Sequence, residues 1–213
     1  KQLIKEIIRK KKFYNKKNFY PNFLLKKVFG NNNLKIINYD GVSINTKTIK
    51  KNNLFFAIRG KNTDGHKFAK EAIKKGAAKL VVSKKIKQLS NNKVIKVKNT
   101  FSSLNNLAKI TRDSSSAEII GITGSVGKTT LKNLISFSLK NYGKVYHSPH
   151  SYNNRFGVPL SLSNLKSNID YGIFEMGMDK KGEIDNLSKI VKPEIAIITN
   201  ISGAHFKNFN TLK

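Results

Sequence analysis

The chain has 213 residues, of which 38% are hydrophobic; this suffices for one large domain or two smaller ones, and the absence of cysteine excludes disulfides and thiolate metal sites. No apolar run reaches membrane-spanning length and Lys1 to Lys12 lack a signal-peptide core, so we expect a cytoplasmic protein without membrane insertion. The net charge of +29 is compatible with nucleic-acid binding, but lysine is spread along the whole chain and aromatic residues do not interleave with it, which argues against that function.

Residues 1–33 are expected to form a basic N-terminal extension and a first helix. Ile4, Ile7 and Ile8 predict a short amphipathic helix, and the apolar residues between Phe23 and Phe29 predict another. The many lysines of this stretch indicate a solvated surface rather than a binding site.

Residues 34–114 are predicted to form a compact α/β domain. Short apolar runs predict strands at 54–58, 79–82 and 94–97, and helical spacing of apolar residues predicts helices at 66–75 and 101–112. The serine-rich stretch 113–117 is predicted to be the linker to a second domain.

That second domain, residues 115–213, is predicted to be an α/β domain with a mainly parallel sheet. After a first strand at 119–122, further strands are expected at 144–146, 171–176 and 195–199, with helices at 157–164 and 184–191. Because strands and helices alternate, ligands are expected at the carboxyl ends of the strands.

Residues 118–139 combine a β-branched strand, a glycine-rich turn and an amphipathic helix, which is the context that a phosphate-binding loop requires. Gly124 and Gly127 let the backbone turn its N–H groups toward phosphate oxygens. Lys128 can reach the terminal phosphates, and the hydroxyl of Thr129 can bind Mg²⁺. The sequence therefore predicts a P-loop at this turn.

The motif departs from the common pattern G-x-x-x-x-G-K-S/T in one position. The first glycine of that pattern would stand where this chain has Ile122, and the nearest glycine is one residue earlier, at Gly121. The alternative interpretation is an ordinary glycine turn ahead of a helix, but the agreement of strand, glycines, lysine and threonine favours phosphate binding.

Polar residues also follow two later predicted strands. Glu175 ends the strand at 171–176, and residues 200–205, which include His205, follow the strand at 195–199. An open parallel sheet can bring these ends into one crevice, where a carboxylate offers Mg²⁺ a hard oxygen ligand. Histidine is not a usual Mg²⁺ ligand, so these patterns alone leave the role of His205 open.

Several motifs resemble the Mur ligase family, in matching order. In the second domain they are G-I-T-G-S-V-G-K-T-T (121–130), N-N-R-F-G-V-P-L-S-L (153–162), E-M-G (175–177), G-E-I (182–184) and I-T-N-I-S-G-A-H (198–205). In the first domain S-I-N-T-K (43–47), L-F-F-A-I-R-G (54–60), D-G-H (64–66) and A-I-K-K-G-A-A (72–78) are similar to that family's UDP-binding domain. The resemblance runs from about Asn22 to the end of the chain.

The resemblance implies an ATP-dependent amide ligase of peptidoglycan precursor synthesis. In such an enzyme ATP phosphorylates the terminal carboxylate of UDP-N-acetylmuramoyl-tripeptide, and the amine of D-alanyl-D-alanine attacks the acyl phosphate. Ser125, Lys132 and the Asn-Asn…Gly-Val-Pro run favour this dipeptide over the single amino acid that a sister enzyme adds. ATP and Mg²⁺ are the implied cofactors, and a monomer is expected.

The resemblance also implies roles for individual residues. The implied ATP-binding residues are Gly124, Ser125, Val126, Gly127, Lys128, Thr129 and Thr130. The implied catalytic residues are Lys128, Glu175 and His205, and the implied Mg²⁺ ligands are Thr129, Glu175 and His205. The implied substrate-binding residues are Ser43, Asn45, Thr46 and Lys47 for the uridine diphosphate, and Asn153 and Asn154 where the substrate approaches the γ-phosphate.

Two departures qualify this resemblance. Asn45 and Lys47 stand where the family usually has aspartate and arginine, and lysine lacks the bidentate fork of arginine. The family also continues past His205 with the rest of the central domain, including a carbamylated lysine, and with a C-terminal domain. We therefore expect the chain to be part of a longer protein and to be inactive in ligation by itself. The alternatives are a Mur ligase that adds a different amino acid, and a basic nucleic-acid-binding P-loop NTPase.

Overall fold

The computed structural model describes residues 21–29, with side chains from Leu25 onward, and residues 39–202. The chain divides into two compact units, whose described parts are residues 21–29 with 39–111, and residues 112–202. The helix predicted around Ile4 to Ile8 lies outside the described residues, and so does His205.

The first unit is built on a parallel sheet whose strands lie in the order β1-β2-β3-β4. Its elements in chain order are α1 (Pro21–Phe29), β1 (Gly41–Ser43), β2 (Asn53–Phe56), α2 (Ala69–Lys74), β3 (Lys79–Val82), β4 (Val94–Lys96) and α3 (Thr100–Ser114). Short 3-10 helices at Gly65–Phe68 and Asn91–Lys93 precede α2 and β4.

Small residues let α2 pack closely on this sheet. Ala69 and Ala72, one helical turn apart, are fully buried in a cluster with Phe55 and Leu80 of the sheet. Gly76 follows the helix in the left-handed region (φ +90°) and so returns the chain to β3.

The second unit is also built on a parallel sheet, with strand order β6-β7-β5-β8. Its elements in chain order are β5 (Glu118–Thr123), α4 (Lys128–Leu139), β6 (Val145–His147), α5 (Gly157–Ser163), β7 (Tyr171–Glu175), α6 (Glu183–Val191) and β8 (Ile195–Ile198). The predicted α/β class and its parallel sheets are confirmed.

The core of the second unit explains why β5 lies between two neighbours. Ile120 and Ile122 of β5 are completely buried, and they cluster with Ile173 of β7 and with Ile135 and Leu139 of α4. Each such side chain contributes about 1.5–3 kcal/mol when fully buried. Since all strands are parallel, the residues after β5, β7 and β8 lie at the same edge of the sheet.

The predicted linker at 113–117 is shorter than expected, because α3 continues to Ser114 and β5 begins at Glu118. Arg112, which is 10% exposed, lies in the last turn of α3 and belongs to the second unit. Its guanidinium donates to the carbonyls of Val191 (2.8 Å) and Lys192 (2.7 Å) at the end of α6 and pairs with Glu194. The helix is therefore held by tertiary contacts that its serine-rich end does not reveal.

Among the helices of the described residues, none combines the length and the apolar character that a bilayer crossing requires.

Candidate nucleotide-binding site

The glycine-rich loop between β5 and α4 has the shape that its two predicted glycines allow. Gly124 (φ +130°) and Gly127 (φ +83°) both adopt left-handed conformations that are strained for other residues. A Cβ on Gly124 would lie 2.1 Å from Oγ1 of Thr199, whereas a Cβ on Gly127 would meet nothing within 4 Å. Gly124 is therefore required for close packing as well as for conformation, and Gly127 for conformation alone.

Gly121, the glycine displaced from the common pattern, lies inside β5 rather than in the loop. A Cβ there would lie 2.8 Å from the Cε of Met176 and 3.1 Å from Pro193. This glycine accommodates the packing of neighbouring chain segments, so the displacement does not alter the loop itself.

The backbone of the loop is covered by the residues that follow β8. The N–H of Ser125 donates to the carbonyl of Asn200 (3.0 Å), and the N–H of Val126 donates to Oδ1 of the same residue (2.9 Å). Lys128 begins α4, and its Nζ donates to the carbonyls of Gly124 and Ser125, the latter at 3.0 Å. The side chain of Lys128 thus folds back onto the glycine-rich loop that precedes it.

Glu175, the last residue of β7, joins three side chains next to this loop. Its Oε2 accepts a hydrogen bond from the hydroxyl of Thr129 (2.8 Å), and its Oε1 accepts one from the amide of Asn153 (2.8 Å). The ammonium of Lys132 lies 3.4 Å from Oε2. The structure therefore brings together Thr129, Asn153 and Glu175, which were predicted from separate motifs in the sequence.

Lys132 was not predicted as a site residue. The structure buries it, with only 1% of the residue exposed. It follows Thr129 by three positions and Lys128 by four on α4, so it lies on the same helix face as both. Its Nζ also donates to the carbonyl of His150. Helical spacing was the signal that could have identified it.

Asn154 has a structural task at the start of α5. Its Oδ1 accepts the N–H groups of Phe156 (3.0 Å) and Gly157 (2.9 Å). These are among the N–H groups that a helix leaves without intrahelical partners. Asn154 thus shapes the segment that carries Asn153 toward Glu175.

The donor set beside the loop fits Mg²⁺, which prefers oxygen ligands and commonly takes only one or two from the protein. The hydroxyl of Thr129 and the carboxylate of Glu175 are two such oxygens, already in contact. Among the described residues no three histidine, aspartate or glutamate side chains gather in a way that could bind a metal ion. His205 lies outside the described residues, so its role stays a prediction.

In the first unit, the predicted substrate loop at residues 43–47 forms a tight turn. Ser43 Oγ donates to the carbonyl of Asn45 (3.0 Å), and Oδ1 of Asn45 accepts the N–H of Lys47 (2.9 Å). An aspartate would make the same local turn, so asparagine preserves its shape. Lys75 donates to the carbonyl of Thr46 (2.9 Å), which is 6% exposed.

The carboxylate of Glu71, beside this turn, is stabilised in its charged form by its neighbours. Hydrogen bonds from Lys75 and then from Thr46 lower the pKa of Glu71, and the charge of Lys47 acts in the same direction. The side chain of Lys47 therefore contributes positive potential at this turn.

In the second unit, a parallel sheet presents a glycine-rich loop at its carboxyl edge, followed directly by a lysine and a threonine on a helix. That combination defines the class of P-loop proteins. The chain belongs to the Mur ligase family. Residues 38–115 match the family's catalytic-domain description and residues 122–213 match the Mur ligase middle domain.

Relatives named as UDP-N-acetylmuramoyl-tripeptide–D-alanyl-D-alanine ligases are similar over most of the chain. The one from Rickettsia prowazekii is 41% identical over 83% of this chain and 39% of its own length. The one from Bacillus subtilis is 34% identical over 80% of this chain and 38% of its own length. The chain thus spans about two fifths of the length of the curated relatives it matches.

Solved structures agree with the sequence comparisons. A MurF ligase from Thermotoga maritima, solved in complex with ADP, is 31% identical, with a TM-score of 0.69 over 84% of this chain and 41% of that chain. MurF from Acinetobacter baumannii is 25% identical, with a TM-score of 0.78 over 92% of this chain and 44% of that chain.

Proposed function

We propose that the chain is the substrate- and ATP-binding part of a cytoplasmic, monomeric ligase that joins D-alanyl-D-alanine to UDP-N-acetylmuramoyl-tripeptide. The observation that carries this proposal is the contact of Thr129 and Asn153 with Glu175 beside the glycine-rich loop. The names of the relatives support the choice of substrates.

The proposed reaction has two steps. An oxygen of the tripeptide's terminal carboxylate attacks the γ-phosphorus of ATP, the bond to the β–γ bridging oxygen breaks, and ADP leaves with that electron pair. The dipeptide's amine nitrogen then attacks the acyl carbon, the bond to the phosphate oxygen breaks, inorganic phosphate leaves and the nitrogen loses a proton.

The residues of the second unit would act mainly by positioning and by offsetting negative charge, the main requirements of phosphoryl transfer. Lys128 would exchange the carbonyls of Gly124 and Ser125 for the β- and γ-phosphates. Thr129 and Glu175 would hold Mg²⁺, which when bound neutralises phosphate oxygens. Asn153 orients Glu175 through its amide.

The uridine diphosphate would bind in the first unit at residues 43–47. The turn there directs backbone groups and the cation of Lys47 to one place. Because lysine makes point-charge contacts rather than a bidentate pair, we expect this contact to depend on salt.

The direct test is ligation by the complete protein from the same reading frame. With ATP and UDP-N-acetylmuramoyl-tripeptide, D-alanyl-D-alanine should yield ADP, phosphate and an extended peptide product. Mass spectrometry should show that the product is heavier than the tripeptide substrate by the mass of the dipeptide less one water. Single amino acids serve as matched amines, and a product with one of them alone would overturn the proposed amine. The 213-residue chain assayed alone should bind but not ligate.

A binding comparison separates this proposal from a nucleic-acid-binding NTPase. The chain is titrated with UDP-N-acetylmuramoyl-tripeptide and, separately, with a short DNA duplex across a salt series. We expect saturable binding of the nucleotide sugar peptide. Tight duplex binding with a steep salt slope, and none of the peptide, would favour the nucleic-acid function instead.

A further inference from the structure

A cavity of about 340 Å³ opens beside the glycine-rich loop, within the second unit. Lys128 lines it from α4, and Asn153 and Arg155 line it from the segment before α5. Asp179 lines it from the turn before α6, and Glu183 from the first position of α6. Its volume is within the range of pockets that hold small ligands or parts of larger ones.

One of the two acidic residues that line this cavity accepts local hydrogen bonds. Oε2 of Glu183 accepts the backbone N–H groups of Asp179 (2.6 Å) and Lys180 (3.1 Å). That carboxylate therefore serves to shape the turn.

Arg155 stacks on a neighbouring aromatic ring. Its Cζ lies 4.8 Å from the centroid of the Phe156 ring, the geometry of a cation–π contact. Stacking on an aromatic face leaves the N–H groups in the guanidinium plane able to donate, and that planar fork matches a carboxylate in two parallel hydrogen bonds. Arg155 thus brings an accessible anion-binding group to the cavity that reaches the loop.

We propose that Arg155 binds the terminal carboxylate of the acceptor peptide and positions it beside the phosphates. This inference rests on the proposed function, since it assigns one end of that function's substrate. The physical reason is charge: a carboxylate must approach a polyanionic nucleotide closely before it can attack. Two cations lining one cavity, Lys128 and Arg155, offset the repulsion between those anions.

The test compares two ligands and four proteins by calorimetry. The ligands are UDP-N-acetylmuramoyl-tripeptide and its analogue with a carboxamide in place of the terminal carboxylate. The proteins are the unaltered chain, Arg155→Met, Arg155→Lys and Lys144→Met. Lys144 is the matched control, because it is exposed and precedes β6, at the opposite end of the sheet from the loop.

We expect Arg155→Met to weaken binding of the carboxylate ligand on the order of tenfold and binding of the carboxamide less than twofold. Arg155→Lys should fall between, and Lys144→Met should leave both ligands unchanged. Equal weakening of both ligands, or of neither, would overturn the assignment.

A third ligand, a non-hydrolysable ATP analogue, identifies the competing anion. If Arg155→Met weakens the ATP analogue and leaves the carboxylate ligand unchanged, Arg155 binds the γ-phosphate instead and the proposal is wrong. Failure of the proposed function gives a different result, since the unaltered chain would then bind neither of the two UDP ligands.

Discussion

The ammonium of Lys132 lies 3.4 Å from Oε2 of Glu175, and the two side chains are only 1% and 2% exposed. Removing one partner of a buried ion pair leaves an uncompensated charge in a poorly solvated place. We therefore expect Lys132→Met to lower the free energy of unfolding by about 3–5 kcal/mol, as measured by urea denaturation of the chain.

The matched control is the double variant Lys132→Met with Glu175→Gln, in which neither charge remains. It should recover a substantial part of the lost stability, because two neutral side chains cost less to bury than one charge. A single variant Lys132→Met as stable as the unaltered chain would mean that the pair is not formed in solution.

Substitution of alanine for each of the two loop glycines should lower the free energy of unfolding by different amounts. Gly127→Ala meets no atom within 4 Å, so only its left-handed conformation (φ +83°) opposes it, at about 1–2 kcal/mol. Gly124→Ala adds a collision with Thr199 and should cost about 3 kcal/mol or more. Thermal or urea denaturation of both variants gives the comparison, and equal losses would refute the close approach of Thr199.

Substitution of Arg112, in the last turn of α3, should cause a large loss of stability within the second unit. Arg112→Met removes donors to the carbonyls of Val191 and Lys192 and leaves Glu194 without its cation. We expect a loss of about 3 kcal/mol in the free energy of unfolding. Lys192→Met is the control: its pair with Asp113 is about half exposed, so the loss should stay below about 1 kcal/mol.

The contribution of Glu183 to the stability of the turn before α6 should depend on pH. Hydrogen bonds from the N–H groups of Asp179 and then Lys180 hold its pKa below the ordinary value of 4.5, and the positive charges of Lys180 and Arg155 act in the same direction. The folded state thus favours the ionised carboxylate. Its contribution is complete above the unfolded pKa and is lost as the pH falls through the folded pKa.

The measurement is the difference in unfolding free energy between the unaltered chain and Glu183→Gln, followed with pH. It should be constant above about pH 5.5 and shrink steadily as the pH is lowered below 4.5. A difference that grows on acidification would reverse the sign and contradict the hydrogen bonds at this turn.

Much of the fold follows from short apolar runs. The strand at 79–82 is found at its predicted bounds, and those predicted at 94–97, 171–176 and 195–199 differ from the structure by only one residue. These segments are parallel strands, which read as continuous apolar runs because parallel sheets are usually buried on both faces. In contrast, β1 (Gly41–Ser43) was not predicted, since three residues with one aliphatic side chain carry no periodic signal.

The site was predictable as a set of residue types but not as a set of contacts. Thr129, Asn153 and Glu175 were all identified from the sequence. The sequence does not indicate, however, that Thr129 and Asn153 both donate hydrogen bonds to the carboxylate of Glu175. That depends on the register that places Ile122 beside Glu175, which only tertiary packing fixes. Lys132 was missed although its helical spacing from Lys128 and Thr129 is visible in the sequence, because its ion pair with Glu175 is fixed only by tertiary packing.

The oxygens of Asn200 already occupy the N–H groups of Ser125 and Val126. These hydrogen bonds from the chain itself help to hold the loop in its curled form. An incoming phosphate would replace these neutral acceptors one for one, so the number of hydrogen bonds would hardly change and the advantage would come from its formal charge. Discrimination at this turn should accordingly rise with ligand charge, and uncharged mimics of the same outline should compete poorly.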